Sequence, residues 1–174
     1  MKRNIVMFAV VGLLFAGIGV FLGYRQSDPA PAEATAVHAL LAASLPDASG
    51  KMQPLSQWKG RPLVVNFWAT WCAPCVDEMP ELSALQKELE ARGKTQILGI
   101  GIDSPANIAQ FVSKYNISFP IYVGGMGGSE YSRQLGNQVG GLPFTVLIDS
   151  NGQVKKAYSG RLKIDELRKD LEGL

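Results

Sequence analysis

Three residues separate the run Leu63-Val64-Val65-Asn66-Phe67-Trp68 from Cys72-Ala73-Pro74-Cys75, and that junction constrains the fold more than any other stretch of the chain. The run is too apolar for a strand with one wet face and suits a strand buried on both. Residues 81–92 then continue as an amphipathic helix that stops at Gly93. A buried strand that ends just before Cys72 sets that cysteine at the N-terminus of the following helix. This is the start of an α/β fold.

Cys72 and Cys75 are the only cysteines among 174 residues. A disulfide framework needs several bridges, so one pair is a poor scaffold. A closed zinc site needs four ligands, and the single histidine, His38, sits far off in a linker-like stretch. No metal and no cofactor is expected. Two thiols at this spacing can close a disulfide and reopen it, which is the chemistry of a dithiol/disulfide exchanger.

The chain carries 17 Lys+Arg against 15 Asp+Glu, and no basic run, so nothing draws it to nucleic acid. Lys2 and Arg3 precede 19 uncharged, mostly apolar residues, 5–23. As a helix such a run would reach about 28 Å, close to the thickness of a bilayer's hydrocarbon core. Residues 1–23 read as an uncleaved signal-anchor in preference to a cleaved signal peptide, since the run exceeds a usual signal core and no small-x-small site follows it directly. Lys2 and Arg3 stay in the cytoplasm and the rest of the chain lies on the outer, periplasmic face. Residues 24–37, rich in Pro, Ala, Ser and acid, read as a flexible linker, and residues 38–174 as the folded domain.

Within that domain residues 40–45 and 52–55, parted by Asp47-Ala48-Ser49-Gly50, suggest a leading β-hairpin. Residues 95–102 form a second buried-type strand. Ser104-Pro105 is an N-cap followed by a first-turn proline, opening a helix that leads to a short strand at 119–123. Gly124-Gly125-Met126-Gly127-Gly128 reads as a mobile connection before a short helix at 129–135; it lacks the Gly-Lys-Ser/Thr ending of a phosphate loop. Residues 144–149 and 153–158 make a hairpin around Asn151-Gly152, and a helix at 164–171 closes the chain. The sum is a mixed sheet with helices on both sides.

At a helix N-terminus, free N–H groups and the dipole favour thiolate over thiol, so Cys72 is the expected nucleophile. Cys75, one turn further in, is the expected resolving thiol. Glu78 lies three residues beyond Cys75, on the same helix face. A carboxylate buried there could exchange a proton with a nearby thiol. Pro80 falls in the helix interior and Asp77 is read as an ordinary first-turn acid. Trp68 is read as core and Trp71 as rim packing that shields the disulfide.

The stretch Val65-Asn66-Phe67-Trp68-Ala69-Thr70-Trp71-Cys72-Ala73-Pro74-Cys75-Val76-Asp77-Glu78-Met79-Pro80 resembles the thioredoxin-fold proteins, specifically their membrane-anchored TlpA/ResA-like branch. Gly141-Leu142-Pro143-Phe144-Thr145 and the leading Gly50-Lys51, Leu55 and Gly60-Arg61-Pro62 fit the same branch. The resemblance spans residues 40–172. It implies an α/β thioredoxin fold, a central mixed sheet flanked by helices, with an N-terminal β-hairpin extension and an inserted helix-strand unit. It also implies a redox-active Cys72–Cys75 disulfide, an active-site acid at Glu78, and a cis Leu142-Pro143 bond. In such folds the residue before that proline offers its backbone to an extended peptide, so Trp71, Leu142 and Pro143 are the implied substrate-binding residues. Cytosolic thioredoxins carry a buried aspartate where this chain has Asn66, which leaves Glu78 as the substitute.

The activity implied is a thiol:disulfide oxidoreductase, acting as a monomer on client proteins with cysteine pairs. Apocytochromes c and copper-site proteins of a terminal oxidase are the plausible clients, and a membrane dithiol carrier the electron donor. A peroxiredoxin-like peroxidase needs Pro-x-x-x-Thr-x-x-Cys, and neither cysteine fits: Val65 and Ala69 precede Cys72, Trp68 and Cys72 precede Cys75. A thiol oxidant that introduces disulfides is the remaining alternative. The residues alone leave the direction of electron flow open.

Overall fold

The structure, a computed structural model, describes residues 31–93 and 95–174. Helix α1 (Pro31–Ala42) comes first, followed by a small antiparallel hairpin, β1 (Ser44–Pro46) and β2 (Met52–Pro54), and a 3-10 turn, Leu55–Trp58. The central elements are β3 (Leu63–Trp68), α2 (Ala73–Arg92), β4 (Gln96–Gly101), α3 (Pro105–Tyr115) and β5 (Ile121–Val123). Helix α4 (Gly125–Gln134), the hairpin β6 (Phe144–Ile148) and β7 (Val154–Ser159), and α5 (Ile164–Glu172) complete the chain.

All six residues of β3 are buried, as the apolar run requires, and β3 is the middle strand of a sheet ordered β5-β4-β3-β6-β7. It runs parallel to β4 and antiparallel to β6, so the sheet is mixed. Alternate β3 side chains serve opposite faces. Val64 and Trp68 join Met79, Leu82 and Leu85 of α2, Ile108 and Phe111 of α3 and Leu167 of α5 in one core. Leu63, Val65 and Phe67 join Leu40 and Leu41 of α1 and Leu135, just after α4, in the other. Asn66 shares the face of Val64 and Trp68, and it is turned toward α2. This is the α/β arrangement the resemblance implied, a mixed sheet flanked by helices with a hairpin before it.

Two segments differ from the sequence reading. Residues 31–37, expected as the end of a linker, and 40–42, expected in a strand, form α1 instead. Ala36, Val37, Leu40 and Leu41 are buried against the second face of the sheet. A 12-residue helix is marginal by itself, and burying each leucine contributes about 1.5–3 kcal/mol that composition does not reveal. The glycine run, expected as a mobile connection, instead opens α4. A Cβ at Gly124 would stand 2.7 Å from Ile100 Cγ2 and 3.0 Å from the Gly128 backbone, so these glycines serve close packing on β4. The anchor at 1–23 and the linker up to residue 30 lie outside the described residues. Among the described residues, no helix is long and apolar enough to cross a membrane.

Candidate active site

β3 delivers the chain to the cysteines through Ala69, Thr70 and Trp71. Cys72 is the N-cap of α2, in extended conformation, with proline in the first turn behind it. Its Sγ accepts the backbone N–H of Cys75 at 3.3 Å, so the sulfur itself satisfies one of the helix's open donors. Cys72 and Cys75 are joined as a disulfide, with Cα atoms 5.2 Å apart. Cys72 keeps a 6% exposed edge while Cys75 has none, so only the first sulfur can be approached from solvent.

Glu78, one turn beyond Cys75, is fully buried. Its Oε1 accepts from Asn66 Nδ2 at 2.7 Å and its Oε2 from the backbone N–H of Leu162 at 2.8 Å. Burial pushes its carboxyl up to about 7, against the downward pull of the Leu162 N–H, the Asn66 amide and the Arg161 guanidinium. Arg161 itself pairs with Glu81 at 3.0 Å on the outer side of α2. The result is a buried carboxyl that changes charge near neutrality.

Leu142-Pro143 is a cis peptide bond, as the resemblance implied. Leu142 lies across from Trp71 on a groove of about 600 Å³ that also takes in Ile102, Asp103, Met126 and Asn137. Trp71, expected as rim packing, lines this groove and is 71% exposed. Met126, at 87%, is bare beside it. Trp68 does go to the core, with Phe111 at 4.8 Å between ring centres.

Sequence reading missed Asp103. Its carboxylate accepts from the Thr70 hydroxyl and, at 3.3 Å, from the Thr70 N–H. It also takes the Ser104 N–H at 2.6 Å and the Asn107 amide at 2.8 Å. One side chain thus ties the loop before Cys72 to the start of α3. Partial burial pushes this carboxyl up, and the donors from Thr70, Asn107 and Ser104 outweigh it, holding the group below the usual carboxylate range. The Asp-Ser-Pro sequence signals a helix cap, but the contact with Thr70 is visible only in three dimensions.

The Redoxin family matches residues 26–172 of the chain. The thiol-disulfide oxidoreductase ResA of Geobacillus thermodenitrificans (strain NG80-2) is 32% identical, over 99% of this chain and 97% of its own. A secreted Mycobacterium tuberculosis disulfide oxidoreductase, homologous to E. coli DsbE, superposes with a TM-score of 0.64 at 25% identity. It covers 77% of this chain and 97% of its own. A thiol-disulfide oxidoreductase from Bacteroides fragilis NCTC 9343 gives 0.63 at 26% identity, covering 75% of this chain and 95% of its own.

Proposed function

Since this chain belongs to the Redoxin family and is a thiol-disulfide oxidoreductase of the ResA type, we propose that it reduces disulfides of client proteins through the Cys72/Cys75 pair. The observation that carries this reading is Cys72 at the N-cap of α2, where its sulfur accepts a backbone N–H. The same N–H and the helix dipole would stabilise a Cys72 thiolate once the disulfide is opened.

In the forward cycle the Cys72 thiolate attacks one sulfur of a client disulfide. A mixed disulfide forms and the other client sulfur leaves as a thiolate, which takes up a proton. Glu78 then accepts the proton of Cys75. The Cys75 thiolate attacks Cys72, the Cys72–Cys75 bond forms, the mixed disulfide breaks, and the second client thiolate is released. Two electrons pass from the dithiol to the client. A carboxyl that titrates near 7 suits the proton acceptor of a thiol, because its two states are both accessible at neutral pH. A donor dithiol, which we place in a membrane carrier, must then reduce the Cys72–Cys75 bond again through Cys72.

The client docks on exposed Trp71 and half-buried Leu142, with Pro143 buried beside them and holding the Leu142 backbone in place. Apocytochromes c and oxidase copper-site proteins are the clients that suit a reductant working outside the cytoplasm. That location follows from reading residues 5–23 as an uncleaved anchor in the cytoplasmic membrane, with a monomeric catalytic domain on its outer face. The equilibrium reduction potential against glutathione tests the direction: a value near roughly −270 mV supports a reductant, and one near roughly −120 mV marks an oxidant.

A further inference from the structure

Both oxygens of Glu78 accept N–H donors, one from the backbone of Leu162 and one from the Asn66 side chain. That arrangement serves a carboxylate. A carboxylic acid carries one O–H in place of a lone pair and needs an acceptor for it. The Leu162 N–H is backbone and can only donate. Asn66 can do either, because its amide presents N–H on one side and oxygen on the other.

Two further observations concern that amide. Asn66 is fully buried, and its Oδ1 has no hydrogen-bond partner. Its second Nδ2 proton goes to Thr145 Oγ1 at 2.9 Å, directly across the β3–β6 ladder. A hydroxyl both donates and accepts, so Thr145 can face either end of the amide. Leaving a buried amide oxygen unpaired costs free energy, and nothing in the carboxylate arrangement recovers it. With the amide rotated, Oδ1 would accept from both Glu78 and Thr145, and Nδ2 would become the unpaired end. The arrangement that wins is therefore set by whether Glu78 offers a lone pair or an O–H.

We propose that Asn66 is a positioning residue whose side-chain amide rotates as Glu78 gains and loses its proton. Nδ2–H holds the carboxylate, and Oδ1 receives the O–H of the acid. Glu78 thereby keeps its place through both halves of the cycle. The other charges that bear on it are Glu81 on its own helix and Arg161 from the loop before α5. The inference rests on Glu78 being the proton acceptor for Cys75.

Glu78→Gln supplies a fixed mimic of the acid. Its oxygen can take the Leu162 N–H, and its amide N–H then needs an acceptor, which only the rotated Asn66 offers. The test is NMR of the full chain in detergent, in the disulfide form where no thiol titrates. The readouts are the Glu78 side-chain carbon and the cross-peaks from the Asn66 Nδ2 protons to the Thr145 side chain. The expected result is that these cross-peaks are present at high pH and vanish at low pH with Glu78's own midpoint. In Glu78→Gln they are absent at every pH. Asn66→Leu, which removes donor and acceptor together, weakens both states and moves the Glu78 midpoint up only by the excess of the charge-assisted bond over the neutral one. Cross-peaks that persist while Glu78 titrates overturn the inference and leave the role of Glu78 standing. A Glu78 carbon that does not titrate between about pH 5 and 9, with exchange rates in Glu78→Gln following the wild-type pH profile, removes that role and the inference with it.

Discussion

The backbone N–H of Leu162 donates to Oε2 of Glu78 at 2.8 Å, joining the loop before α5 to the active-site helix. This bond and the Asn66 amide lower the cost of a buried carboxylate without cancelling it, and the group titrates near 7 instead of 4.5. Below about pH 4.5 the acid is protonated folded or unfolded. As pH rises toward 7 the unfolded chain loses the proton first, so folding loses stability, by about 3 kcal/mol once the rise is complete. Glu78→Gln has no such penalty. Urea melts at pH 5 and pH 8 should show the variant gaining on the wild type at the higher pH. An equal difference at both values would refute the assignment.

Cys75→Ser should accumulate mixed disulfides with clients, visible as slower bands on non-reducing gels, while Cys72→Ser accumulates none. The reason is access: Cys72 has an open edge and Cys75 is sealed beneath it. Adducts on Cys72→Ser instead would reverse the two roles.

Trp71 and Met126 stand bare on the groove, so replacing either disturbs little packing. Trp71→Ala should change stability by less than about 0.5 kcal/mol. Its kcat/KM toward a protein client should fall several-fold more than toward glutathione disulfide, which brings no folded surface to the groove. Equal losses on both substrates would remove the docking role of this face.

Asp103→Ala leaves the Thr70 hydroxyl and N–H, the Ser104 N–H and the Asn107 amide without their acceptor. The expected loss is about 1–3 kcal/mol in a denaturant melt. Asp103's folded value lies below the ordinary 3.8, so its contribution is complete above that pH and fades as pH falls through the folded value. The stability of the variant should therefore fall less steeply than that of the wild type in acid. Parallel acid limbs would contradict this.

Much of the site was legible because chemistry and local pattern coincide in it. The apolar run marks β3, Ser104 does cap α3 by accepting from Asn107 N–H, and Asn151-Gly152 does turn the β6–β7 hairpin. The cis Leu142-Pro143 bond came from family resemblance alone, since nothing local distinguishes it from a trans bond. Helix α1 was hidden by composition: alanine and proline read as a linker until Leu40 and Leu41 meet the sheet. Asp103 was hidden by distance, because its partner Thr70 lies 33 residues away in sequence.

Helix α1 also bears on how the enzyme would meet its clients. If residues 5–23 sit in a membrane as proposed, only residues 24–30 remain to act as a leash, since Pro31 already begins the folded body. Seven residues extend to at most about 25 Å, half of what a leash ending at residue 37 would allow. Under that proposal a shorter leash would keep Pro31, the near end of the domain, closer to the bilayer. On that proposal, clients held at the bilayer surface would be favoured over clients diffusing in bulk.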